Sequence, residues 1–524
     1  VHVHAILFLY VYAIFGFFNV AHAFVVGSSL FAASVSSSTL MGHSGEGFIS
    51  GIAVFNYNVG AIFVIIFVSL FFLPFYIKSG IYTIPEYLGR RFDNRSRKYF
   101  SFITIIGNVF LDAGAALYTG ALILKIIFPE IDMMWIIIGM ALMAGTYTII
   151  GGLSSAINAD MIQSIILIAG SVLLSIFCFN SVGGWENFVE HFHDGVWLNL
   201  IRPNSDTTVP WFSIFLSIPI LGFYFWGNNQ VIVQRVMSAK TVNEGRLGFL
   251  FVAFLYVFTL FIFIAPGMVG RMIDLFGVGD TLPNEIIDGN TLRAQYGIDT
   301  NEVYPRLILK LLPVGLIGVM IACMVSALTS TLSATLSSVS TLFTMDFYKS
   351  WRPESSPRHL VRVGQWTSFI ALVVAVLWAP LIGKFASLVA YYQEFSSYLA
   401  PPIVGTFLVG LFWKGSTRNG AFAGLMSGLA MSALIMTYKF GFGGVVPFHF
   451  LLWVPILLIL SVLVNIIVSK CDRNKETDVE TYTWNKSVWQ DDTRELKTVP
   501  WYKNFRYISI ALIIIALLEY WWFF

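Results

Sequence analysis

Apolar runs of membrane-spanning length recur from one end of this chain to the other, and they constrain its fold more than any motif does. They cover 5–22, 24–41, 52–76, 99–128, 133–150, 160–182, 211–228, 247–270, 311–345, 364–382, 386–413, 420–440, 448–469 and 507–524. An α-helix needs roughly 17–25 such residues to cross the hydrocarbon of a bilayer. In lipid every backbone N–H and C=O must be satisfied within its own segment, so runs of this kind fold as helices. Only 11% of the 524 residues are charged and 57% are hydrophobic, against roughly 25% charged in soluble domains. The expected fold is an all-α polytopic membrane protein with about 14 transmembrane helices. A formal net charge of +2 suggests neither nucleic acid nor an acidic partner, and nothing marks an obligatory protein partner. The three cysteines, Cys178, Cys323 and Cys471, lie far apart with no metal-binding spacing, so a disulfide framework is not expected.

The basic residues test the helix count. Of the 31 Lys and Arg, 23 fall in every second loop, at 78–98, 235–246, 349–362, 414–418 and 470–506. The positive-inside rule makes those loops cytoplasmic. The stretches 183–210 and 271–305 hold more acidic than basic residues and are expected outside, the second long enough for a small lid, with a plain loop as the default. An even helix number then places both termini outside the cytoplasm, in a multi-pass plasma (inner) membrane protein. The chain opens at Val1 and its first basic residue is Lys78, so a positively charged signal-peptide n-region is not expected.

Within this pattern three segments are unusual. Ten of the sixteen residues from Ser326 to Thr341 are Ser or Thr, inside an apolar span. Hydroxyls at helical spacing there either glue helices together or coordinate something polar at mid-membrane. Gly27–Gly47 carries five hydroxyl residues mid-span followed by glycines, and 217–230 contains Pro219, Gly222 and Gly227. Interrupted helices free backbone carbonyls that can bind a cation; ordinary small-residue packing is the alternative. Each interrupted segment opens a group of five spans, 24–182 and 211–413. An odd number gives the two groups opposite orientations, as an inverted repeat requires. The remaining parts are a leader helix (1–23), two flanking helices (420–469), a charged cytoplasmic connector (470–506) and a last helix (507–524).

Sodium suits neutral hydroxyl and carbonyl oxygens, which the 24–41 and 311–345 segments supply. A potential of 100 mV is worth about 2.3 kcal/mol per charge, and a tenfold ion gradient adds about 1.4 kcal/mol. One sodium can thus support a solute gradient of roughly several hundredfold.

The stretches GIYTIPEYLGRRF (80–92), GGLSSAINADMIQ (151–163), WGNNQVIVQRVMSAK (226–240), STLFTMDFYK (340–349) and YYQEFSSYLAPPIVGTFLVGLFWK (391–414) resemble the sodium:solute symporter family, in its sodium/glucose and sodium/galactose branch. The resemblance implies a five-plus-five inverted-repeat core working by alternating access, with no covalent chemistry and no cofactor beyond sodium as coupling ion. It implies a sodium site at the carbonyls of Ala32, Val35 and Ala327 and the hydroxyls of Ser330 and Thr331. Asp160 matches a carboxylate linked to sodium release or a second sodium; its alternative is a helix N-cap at the start of the 160–182 span.

For the solute, Tyr57 and Gln393 match sugar-site positions, while Thr39 and Asn58 keep polarity there, Asn58 replacing a family Glu. Phe225 aligns with an aromatic that stacks on the sugar, beside Trp226. Gly222 and Tyr256 stand where the galactose carrier has Asn and Lys. Asp112 falls mid-span, where a carboxylate costs a few kcal/mol unless it faces a partner or water. It could bind substrate hydroxyls or a cation, or be simply paired or protonated, and it argues against a carboxylate substrate. Aromatic walls with amides suit a polyhydroxylated solute, so a neutral sugar or polyol is expected. Inositol, an amino acid or sialic acid remain alternatives, as does a transporter-fold sensor, which would carry a lost ion site or an added signalling domain. A channel filter or a clustered enzyme constellation is not present in the sequence. His43 has no ligand spacing and reads as an ordinary polar position.

Overall fold

Where the chain bends, breaks and reverses decides what its spans enclose. The computed structural model describes residues 21–523 apart from 82, 152, 194, 238, 280–281, 283–284, 445, 447, 473–479 and 498. At 21–23, 78–79, 147, 149–164, 487 and 502 it describes the backbone alone. Among the described residues the chain is helical, without strands beyond one bridge between Arg202 and Pro210. Twelve of the fourteen expected spans fall on helices, some of them bent or interrupted; 24–41 divides between two helices, and the leader at 5–22 lies outside the described residues. Nine described helices are long and apolar enough to cross a membrane alone, and two further spans are pairs bent by 70° and 46°. Phe24–Ser34 and Met133–Thr146 are shorter apolar helices.

The expected span 24–41 is corrected. Helix α1 (Ala21–Ser34) ends early, and α2 (Ser37–Ser50) begins after a break at Val35–Ser36. The sequence dictates this locally: Ser36 caps α2 by accepting from the Thr39 amide, while the Thr39 hydroxyl accepts from the Ser36 amide, both at 3.4 Å. This reciprocal box holds a helix N-terminus in place. After α2 a short 3₁₀ turn, Gly51–Val54, leads into α3 (Phe55–Phe71). His43 and Asn58 are fifteen residues apart yet bond at 3.1 Å, whereas a continuous helix would separate them by roughly 22 Å. The chain therefore reverses at the turn, which Gly51 permits at φ 69°.

Helices α4 (Asn94–Gly107) and α5 (Gly114–Ile127) are joined by a π-helical turn, Asn108–Ala113. Helix α6 spans Leu153–Ser181, so Asp160 falls inside a helix and not at an N-cap; its side chain lies outside the described residues. The second interrupted segment is α7 (Ile218–Phe223), a π turn at Tyr224–Asn228, an extended Asn229 and α8 (Gln230–Met237). Helices α9 (Val242–Val257) and α10 (Ala265–Met272) form the 46° bent pair.

These pairs pack closely: α1 on α9, and α2 on α10. Glycine allows it. A Cβ at Gly27 would sit 2.8 Å from the Gly248 carbonyl, and one at Gly267 only 1.9 Å from that of Ser44. Small residues replace the hydrophobic drive that lipid cannot provide. The long helix α12 (Val314–Leu342) carries the hydroxyl run and packs on α6 and α13 (Pro357–Ile382). Part of the run meets neighbouring helices. Asn108 donates to Ser338 at 2.9 Å, and Gly364 of α13 lies against Ser340. The surface is the inverse of a soluble protein's, with Leu377, Phe369 and Leu463 exposed outward to where lipid lies.

The loops sort to two ends. Arg91 bonds the Gly410 and Trp413 carbonyls, Arg97 pairs with Asp346 at 2.5 Å and Lys414 with Glu480 at 2.7 Å. The five basic stretches thus gather together. At the other end Arg202 reaches the Ser50 carbonyl and Ile52 that of Trp197. There helix α11 (Gly289–Tyr296) of the 271–305 stretch rests on the start of α14 (Leu388–Phe412). Among its described residues the connector forms short helices, the longest α15 (Lys486–Leu496).

Candidate functional site

Both helix breaks, the π turn of the third core span and the middle of α12 open onto one cavity of about 210 Å³. All seven residues expected to touch solute line it: Thr39, Tyr57, Asn58, Asp112, Phe225, Trp226 and Gln393. Of the residues expected at sodium, Ala32, Ser330 and Thr331 line it, whereas Val35 and Ala327 do not. The Thr331 hydroxyl donates to the Ala327 carbonyl at 3.0 Å, which keeps those two oxygens side by side. At the break, the Ser36 amide turns to Thr39 and leaves the Ala32 carbonyl without the donor a continuous helix would give it. Ser36 and Ser38, with hydroxyls 2.9 Å apart, add further oxygens to the same wall. Among the described residues no cluster of three or more His, Cys, Asp or Glu could hold a metal ion. The oxygens gathered here are neutral, of the kind a monovalent hard cation accepts.

The aromatic side is built by the second break. The Phe225 and Trp226 rings meet edge to face at 5.2 Å, and Trp226 meets Tyr256 at 5.4 Å. The Tyr76 hydroxyl holds the Gly227 carbonyl at 3.0 Å, fixing the unwound turn. Gly222 lines the cavity with Val64 behind it; a Cβ there would come within 3.1 Å of that valine. Asp112 sits on the π turn, facing the cavity, with no hydrogen-bond or ion-pair partner among the described residues. π turns of this kind often mark functional positions.

Sequence reading missed several residues on the wall. His43 is held between the Thr39 carbonyl at 3.0 Å and Asn58 at 3.1 Å. Its i,i+4 spacing from Thr39 was the available signal. Tyr224 and Tyr392, neighbours of Phe225 and Gln393 in sequence, also line the cavity.

With this geometry in hand, the comparisons with known proteins decide the family. The sodium:solute symporter family model matches residues 20–428. The chain belongs to the sodium:solute symporter family. It is 32% identical to solute carrier family 5 member 4 of Rattus norvegicus, over 85% of this chain and 71% of that protein. It is 31% identical to sodium/glucose cotransporter 1 of Oryctolagus cuniculus, over 87% and 74%. With the sodium/mannose cotransporter of Bos taurus the identity is 33%, over 79% and 72%. A Na⁺-coupled sialic acid symporter solved in a substrate-bound outward-open state shares the fold, with TM-score 0.71 at 22% identity over 87% of this chain and 91% of that one. The protein is therefore a multi-pass membrane transporter of this family, not an enzyme, with sodium as its coupling ion.

Proposed function

We propose that this symporter imports a neutral sugar or sugar-like polyol across the plasma membrane, driven by sodium and alternating access. The observation that carries the reading is the single cavity in which aromatic rings, three amides and a carboxylate adjoin the hydroxyls of α12 and the broken end of α1. Sodium binds through the carbonyls of Ala32, Val35 and Ala327 with the hydroxyls of Ser330 and Thr331. Asp160 serves a second sodium or its release. Solute lies against Phe225 and Trp226, with Thr39, Tyr57, Asn58, Asp112 and Gln393 reading its hydroxyls. The relatives named for glucose and mannose support the solute class. Asp112, a carboxylate on the wall, opposes an anionic solute.

The two five-helix groups, 24–182 and 211–413, act as inverted repeats. The gathered basic loops face the cytoplasm and both termini lie outside. The test is uptake by the purified protein in proteoliposomes across sugars, inositol, amino acids and sialic acid, with sodium or potassium outside. Sodium-dependent uptake confined to sugars or polyols is expected. Equal uptake in both salts defeats the coupling, and uptake of sialic acid alone defeats the solute class.

A further inference from the structure

One corner of the cavity wall holds a hydrogen-bond chain that cannot be satisfied by a neutral histidine as it stands. The Nδ1 of His43 lies 3.0 Å from the Thr39 carbonyl, a pure acceptor, so Nδ1 carries a proton. Its Nε2 lies 3.1 Å from Asn58 Oδ1. Asn58 Nδ2 donates to the Thr259 hydroxyl at 2.6 Å, and that hydroxyl donates onward to the Tyr256 carbonyl at 2.5 Å. With the amide in this orientation Nε2 must donate as well, and the ring is an imidazolium. A neutral ring requires the amide to turn over: Nδ2 then donates to Nε2, and Thr259 swings its proton to Oδ1. Two proton arrangements therefore satisfy the chain, and they differ in which end of Asn58 is turned which way.

Asn58 and His43 both line the solute cavity. We propose that His43 is a proton-dependent positioning residue whose charge decides which end of the Asn58 amide meets the solute. One state offers a solute hydroxyl an acceptor where the other offers a donor. The inference rests on the reading of this cavity as the solute site.

Burial and neighbouring groups act on the ring's proton beside this chain. Phe263 covers one side, with ring centres 6.5 Å apart. Of the groups on elements packed against α2, Tyr57 and Tyr392 share the cavity wall, as do Asp112, Arg235, Tyr224 and Tyr256 from elsewhere. The others are engaged with partners of their own. Arg271 donates to the Phe48 carbonyl, Glu302 pairs with Arg306, Glu394 with Lys439, Tyr304 with Ser171, and Tyr118 packs on Gly383. Glu46 of α2 itself accepts from Ser387.

The test uses the full chain in nanodiscs with ¹⁵N-histidine, titrated between about pH 5 and 8, where an imidazole changes charge. The His43 signal is assigned by its loss in His43→Gln. Without solute, the ring is expected to pass between the two states, and Asn58→Asp to move its midpoint up by about one unit or more. With D-glucose and D-mannose as probes, the Kd of wild type is expected to change by about fivefold over the same range, the worth of one hydrogen bond. In His43→Gln that dependence should vanish. A ring fixed in one state throughout, a midpoint unmoved by Asn58→Asp, or the same pH dependence in His43→Gln overturns the proposal. If neither sugar binds, the solute reading fails, and the ring titration with its Asn58→Asp shift still decides the coupling of His43 to Asn58.

Discussion

Thr331 and Asn58 line one cavity in different company, and their variants should fail differently. The Thr331 hydroxyl gives its proton to the Ala327 carbonyl, which leaves its lone pairs for a cation. Asn58 is tied to His43 and Thr259, groups that shape a solute wall. Thr331→Ala is expected to raise the sodium concentration for half-maximal uptake by about tenfold, the loss of one charge-assisted contact. Asn58→Ala should raise the solute KM and leave sodium dependence nearly unchanged; the reverse order would mean the two sites are exchanged. Asp112→Ala should raise the solute KM by about tenfold or more, since a carboxylate accepting from a hydroxyl makes a strong bond. An unchanged KM in the uptake assay would remove Asp112 from the solute site. Thr331 was legible from the hydroxyl run inside an apolar span, Asp112 from a carboxylate falling mid-span, and Asn58 from the resemblance to the family. His43 was not, because its partner Asn58 becomes a neighbour only through the reversal at Gly51–Val54, which hydropathy does not reveal. Val35 and Ala327 were named for their carbonyls, and a carbonyl's exposure follows from backbone path, not residue type.

At the scale of helices, the breaks were readable and their exact places were not. Hydropathy runs straight through 24–41, but the Ser36–Thr39 box ends one helix and starts another inside that run. The apolar pattern likewise placed a start at 160 where the helix begins at Leu153, since a membrane helix can extend beyond its apolar stretch. Packing of the broken spans depends on glycines that meet backbone, and this is testable against glycines that meet nothing. Gly267→Ala pushes a methyl into the Ser44 carbonyl and is expected to cost about 3 kcal/mol, at the upper end of overpacking. Gly318→Ala on α12 meets no atom within 4 Å and should stabilise by about 0.5–1 kcal/mol through helix propensity. Thermal melts of the purified variants check the contrast. Equal melting temperatures would mean that α2 and α10 are free to separate.

For the whole molecule, the two ends are closed by different means. At the basic end the connector straps the bundle: Arg246 donates to the Ser69 carbonyl at 2.9 Å and to Asp492 of α15 at 2.7 Å, and the Trp484 amide bonds the Leu411 carbonyl at 2.9 Å. The cavity nevertheless extends along Ile232 and Arg235 of α8, toward that end. At the acidic end the 271–305 stretch sits on the start of α14 as a lid. Asn301 accepts from the Leu388 amide at 3.1 Å, and Ser387 bonds Glu46. Arg293 reaches the Gly383 and Phe385 carbonyls while pairing with Asp299 at 3.2 Å. Beneath this lid a smaller chamber shares Tyr57, Val389 and Gln393 with the main cavity, so those three side chains border both spaces. Asp288 and Gly289, at the start of α11, form part of the chamber wall. Arg293 holds α11 through carbonyls rather than through a matching charge on α14, so its loss should loosen the lid without unfolding the bundle. In a variant with Cys178, Cys323 and Cys471 replaced, Ala390→Cys places a thiol in the chamber. Adding Arg293→Ala is expected to speed its labelling by a membrane-impermeant thiol reagent from the lid side by about fivefold, the worth of one hydrogen bond. An unchanged rate would mean that the lid does not control access from that face.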